Sequence, residues 1–251
     1  MNDKLKLVAD KIKEKTRKTC YSFTLSEDKP SLLDSKIGGV PYIKKGETYP
    51  LDSKGEYMPL FVQINFSNIE LENYPKQGLL QLFVEKEFSY PIEYKVKYVE
   101  NIIDEYNNDL PQIDLSCFAV TESFKMDLKL DQTFMPMNDF RFDKIFCEIY
   151  NEVFESNIDH YFQLDDPEEI IYKELGIQGG LIGGYADFIQ GDPREHDKKQ
   201  VNNLECIVKV DSNLGSGQIL IGDSGISWLL ISKEDLEARR FENALFDWDC
   251  C

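Results

Sequence analysis

The sequence predicts an α+β domain, internally duplicated, with two mainly antiparallel β-containing halves sharing one core, flanking helices and a helical insert. Three observations predict it. Short motifs return in the same order about half a chain apart, the returning runs are strand-like, and the stretch between them carries a helical stripe.

Taken along the chain, residues 3–18 place Leu5, Val8 and Ile12 at helical spacing with Lys and Arg on the remaining face. So short a stripe, with no aromatic, predicts a helix packed on the body rather than a membrane-surface helix. "SKIGGVPYI" (35–43) then returns as "LIGGYADFI" (181–189), with Ile37-Gly38-Gly39 and Ile182-Gly183-Gly184 offset by 145 positions. "FVQIN" (61–65) matches "IVKVD" (207–211) at offset 146, and "GLLQLFV" (78–84) matches "GISWLLI" (225–231) at offset 147. Loops absorb a drift of one residue per step, so the pattern reads as a duplication. It gives one domain over 1–251, with halves about 31–136 and 177–251 and a helical insert about 139–176.

Residues 88–136 read as extended. Residues 139–156 read as a helix, because Phe142, Ile145, Phe146, Ile149, Tyr150, Val153 and Phe154 form a wide apolar stripe, with Asp139 as N-cap. A second helix has Asp166 as cap, Pro167 at its first position and Gly176 after its last turn. Ser232 and Asp235 are spaced like a capping box. "GDSG" (222–225) reads as a tight hairpin turn between "QILI" and "ISWLLI". The final "LFDWDCC" is apolar enough that Phe246 or Trp248 is expected to dock into the body.

Charge narrows the function. With 28 basic and 46 acidic residues the chain carries −18, a field that opposes nucleic acid and anionic membrane surfaces and favours a basic protein partner. "MNDKLKLVADKIKEKTRK" lacks the apolar run that export requires, and six scattered cysteines with no CxxC suit a reducing compartment, so the expected location is cytoplasmic. The same compartment argues against a Cys250–Cys251 disulfide.

No catalytic residue is singled out. "GDSG" resembles the nucleophile segment of serine proteases, but His160 and His196 lie in charged surroundings and the fold signals of such enzymes are missing. Two histidines and dispersed thiols predict neither a metal nor a cofactor, and the reading points away from an enzyme. The candidate ligand- or partner-binding residues are Gly38, Gly39, Gly183 and Gly184, which allow close backbone approach, with Gln63, Asp192, Arg194 and Asp223 as polar contributors. The competing reading makes the glycine pairs structural turns and Asp192–Arg194 a turn-organising ion pair. Two functions follow: a non-enzymatic protein-binding module for a basic partner, or a small-molecule-binding protein or enzyme in which both glycine loops converge on one pocket.

The set "SKIGGVPYI", "PLFVQINFS", "QGLLQLFV", "GGYADFIQGDPR", "QILIGDSGISWLLIS" and "FDWDCC" resembles the YwqG-like family, bacterial proteins of unknown function, over roughly residues 30–251. The resemblance implies an intracellular α+β domain with no assigned reaction or cofactor. Because relatives occur near toxin–immunity loci, it also implies an immunity-like or adaptor role. Ala186 departs from the family, which tends to have proline after "GGY".

Overall fold

A computed structural model describes residues 2–165, 167–177, 179–196, 200–215 and 217–250. Ten strands form one sheet: β1 (Lys18–Leu25), β2 (Lys36–Ile37), β3 (Leu60–Asn65), β4 (Leu79–Val84), β5 (Tyr94–Val99), β6 (Phe124–Thr133), β7 (Gly180–Gly183), β8 (Glu205–Asp211), β9 (Ile226–Ile231) and β10 (Leu245–Asp249). Their order is β10-β9-β8-β7-β1-β6-β2-β3-β4-β5, and each neighbouring pair is antiparallel. The sheet curls until its two edges meet: Tyr94 Oη donates to Ala244 O at 3.2 Å, and the Tyr94 and Phe246 rings lie 5.7 Å apart. The result is a nearly closed barrel.

Its inner face carries the largest core, including Val62, Ile64, Leu80, Leu82, Val208 and Leu229. The outer face is covered as well, so β4 and β9 are buried along their whole length and show no polar alternation. Helices α1 (Asn2–Thr16), α2 (Phe142–Phe154) and α3 (Glu168–Leu175) form a second core on the outside, where Leu5, Val8 and Ile12 meet Phe142, Phe146, Ile171 and Leu181. The expected packed N-terminal helix is therefore found. A short α4 (Lys233–Glu237) has Ser232 as N-cap, its Oγ accepting from Asp235 N at 3.1 Å. Phe246 docks into the barrel as the C-terminal sequence led us to expect. Among the described residues no helix is long and apolar enough to cross a membrane.

Three local expectations are corrected. Asp139 is not the residue that precedes α2, which starts at Phe142 after an Arg141 that makes no side-chain cap; the Asp139 carboxylate accepts from Arg141 N at 3.0 Å and is shared with the buried Arg194. "GDSG" is not a hairpin turn: Ile219 forms a lone bridge with Val120, and β9 pairs with β8 instead of with "QILI". The extended reading of 88–136 holds only for β5 and β6, with irregular chain between them. Gly176 does end α3, Pro167 sits one position earlier than expected, and Asp166 and Cys251 lie outside the described residues.

Candidate functional site

A cavity of about 870 Å³ opens where the ends of β1 and β6 meet the end of β8 and the segment after β7. The β1–β6 ladder sets Ser22 opposite Lys129 and Thr24 opposite Asp127, so these four share the face that lines the cleft. Asp187 and Asp211 also line it.

Each acid has a physical setting. Asp211 Oδ1 accepts from Asn213 N at 2.8 Å, and its Oδ2 lies 3.6 Å from Lys209 Nζ. Lys209 is buried in the middle of β8 and donates to Ile177 O at 3.2 Å. Asp187 accepts from Asn138 Nδ2 and from Phe188 N. Burial pushes the Asp187 carboxyl above its ordinary range, although Lys209 pulls the other way. Asp127 is exposed on the rim. Among the described residues the cleft presents three carboxylates, of which Asp211 pairs with buried Lys209, against one exposed cation, Lys129, and suits a positively charged group.

Behind it lies a closed ionic network. Arg194 donates from Nε to Asp192 Oδ1 at 2.8 Å and from Nη2 to Asp192 Oδ2 at 2.6 Å, and it reaches Asp139 Oδ2 at 3.0 Å. Asp139 also holds Arg141, at 2.7 and 2.6 Å. The Arg194 guanidinium lies 5.0 Å over the Phe188 ring. Asp192 further accepts from Arg194 N at 2.9 Å, fixing the 3-10 turn Pro193–Glu195. This arrangement ties the 192–194 turn to residues 139–141 just before α2.

The sequence candidates separate. Asp192 and Arg194 come together. Gln63 is fully buried, with Oε1 accepting from Tyr42 N and from Gln81 Nε2, and Nε2 donating to Leu32 O and Asp34 O. Asp223 is exposed in the loop before β9. Gly39 borders an apolar groove with Pro41 and Leu110, whereas Gly183 and Gly184 border a polar one with Arg17 and Glu70. The two glycine pairs open on different surfaces and do not converge on one pocket.

Their backbone role is explicit: Gly38, Gly39, Gly183 and Gly184 all have positive φ, between +67° and +81°. A Cβ on Gly38 would collide with the Glu122 carbonyl oxygen, whereas one on Gly46 (φ +86°) would meet nothing within 4 Å. Gly46→Ala is therefore expected to cost about 1–2 kcal/mol from φ alone. Gly38→Ala should cost about 2–5 kcal/mol once overpacking is added. Urea melts of the two variants compare them directly, and equal midpoints would contradict the packing argument.

Sequence reasoning missed Asp127, Asp187, Asp211 and Lys209. A signal existed for Lys209, a lone cation inside the apolar run "CIVKV". Among the described residues, no three His, Cys, Asp or Glu side chains are placed to hold a metal ion. Comparison with curated proteins finds no match. A family model does match, over residues 35–250, and it places the chain in the family described as a domain of unknown function, DUF1963.

Proposed function

We propose that this protein is a non-enzymatic binding module for a basic protein partner, acting in the bacterial cytoplasm in an immunity-like or adaptor role. The observation that carries the reading is the cleft, with Asp127, Asp187 and Asp211 on its walls and a chain charge of −18 behind them. A lysine or arginine side chain entering it gains Coulomb attraction from several carboxylates at once, and the wider field steers the encounter.

The chain is a YwqG-like protein in this reading, a single domain built by duplication, with halves about 31–136 and 177–251. Residue pairings support the duplication. Both β3 and β8 carry a register shift at matched places, between Leu60 and Val62 and between Cys206 and Val208. Gln63 faces Gln81 as Lys209 faces Trp228, and Gln63 reaches Leu32 O as Lys209 reaches Ile177 O. Asn65 Oδ1 accepts from Ser67 N as Asp211 Oδ1 accepts from Asn213 N. The sheet order supports an exchange as well, because β1 joins β7 while β6 joins β2.

Affinity capture from the native lysate tests the partner class. At low salt the wild type should retain a protein rich in Lys and Arg, and high salt should release it. Asp127→Asn, an exposed change that leaves the fold alone, should weaken retention severalfold. Capture of an acidic partner, or retention indifferent to salt, would overturn the reading.

A further inference from the structure

A second cavity, of about 360 Å³, lies at the β10 edge of the sheet, apart from the acidic cleft. Its walls include Tyr90, Pro193, Trp228, Asp247, Trp248 and Asp249. Asp247 pairs directly across the ladder with Trp228, and Asp249 follows two residues on, so the three share one face of the edge.

Several polar groups here are unmatched. Trp228, only 3% exposed, has no partner for its indole N–H, and neither does Trp248. Asp249, 9% exposed, accepts from Ile189 N and Gln190 N through Oδ2, while its Oδ1 has no partner. Among the described residues, neither Asp247 nor Asp249 forms an ion pair. Buried donors and acceptors are ordinarily satisfied, so a cluster of exceptions on the walls of one cavity points to a missing occupant.

We propose that this cavity is a binding site for a guanidinium group, that of an arginine residue or of free arginine. Guanidinium is planar and weakly hydrated, stacks on aromatic faces and offers paired N–H donors to carboxylates. Exposed Tyr90 supplies a free aromatic face, Trp228 and Trp248 line the walls, and Asp247 and Asp249 supply charge. The unpartnered indole N–H of Trp228, on the same face as Asp247 and Asp249, matches an acceptor on the same ligand. A peptide carbonyl or an amino-acid carboxylate provides one. An ammonium, compact and strongly hydrated, uses the aromatic walls less well.

The chain has two tryptophans and both line this cavity, so intrinsic fluorescence reports on it directly. Titration with Nα-acetyl-arginine amide should give a saturable change, with the lysine counterpart at least about tenfold weaker. Asp247→Asn should weaken binding about tenfold. Tyr90→Ala, at a side chain 81% exposed and thus safe for the fold, should weaken it a few-fold. Asp127→Asn, in the other cleft, should change nothing. Free arginine binding as tightly as the amide identifies an amino-acid ligand, and weaker binding identifies a peptide arginine; both keep the guanidinium site. No saturable change, equal affinity for the lysine derivative, or an affinity lost in Asp127→Asn but kept in Asp247→Asn and Tyr90→Ala overturns it.

Discussion

Replacing Arg194 with methionine is expected to cost about 3–5 kcal/mol of folding stability, the usual penalty for removing one partner of a buried ion pair. Arg194 and both its carboxylate partners are almost wholly buried, with side-chain exposures of 2%, 1% and 0%. Methionine keeps the volume but, among the described residues, leaves Asp192 without an ion-pair partner and Asp139 with Arg141 alone. The loss should also depend on pH. Burial raises the Asp139 carboxyl, but hydrogen bonds from Arg141 and the charges of Arg194 and Arg141 outweigh it and hold the group below its ordinary range. A depressed carboxyl contributes stability above its unfolded value, near 4, and loses it as pH falls through the folded one. The deficit of Arg194→Met should therefore be largest at neutral pH and shrink in acid. Denaturant melts at several pH values check both points, and a loss under about 1 kcal/mol would show that the network contributes little.

Phe246→Ala is expected to cost about 3–5 kcal/mol. Phe246 projects from β10 into the barrel, with its ring 5.8 Å from that of Phe61 and 6.2 Å from that of Phe88. Nothing nearby can collapse into the space, because those rings are themselves held against Phe118. Deleting residues 245–251 should do more, since it also removes the ladder from Leu245 to Asp249 and uncovers β9. The truncated chain is expected to lose cooperative unfolding altogether. A truncated protein melting at the wild-type midpoint would mean that β10 is dispensable.

What the sequence shows and what it hides follow one division. Runs that close on themselves are legible: β3, β4, β8 and β9 from their apolar content, α2 from its stripe, the glycine pairs from their steric freedom. Features set by distant chain are not. Asp139 does accept from Arg141 N near the start of α2, but its other oxygen is shared with Arg194, fifty-five residues on, which no local rule foretells. "QILI" looks like half of a hairpin, but its strand partner lies at Val120. The site divides in the same way. Asp192 and Arg194 stand out because a fixed cation is rare in an acidic segment. Asp127, Asp187 and Asp211 do not, because only the closing of β1, β6 and β8 around one space distinguishes them from the other acids.

The place of β1 in the sheet has a consequence for how the protein is made. Residues 18–25 hydrogen-bond on one side to 126–133 and on the other to 180–183. A chain elongating at 5–20 residues per second leaves β1 without its second neighbour for about 8–30 s after it is synthesised. Until 126–133 follow, β1 has two open edges and after that one, the state most prone to pair with a neighbouring chain. The same long-range closure places the protein among slow folders, on the millisecond-to-second scale of topologies rich in non-local pairing. Helix α1, already synthesised and able to lay its stripe over Cys20 from the same stretch of chain, is the one element positioned to shield β1 until its partners arrive.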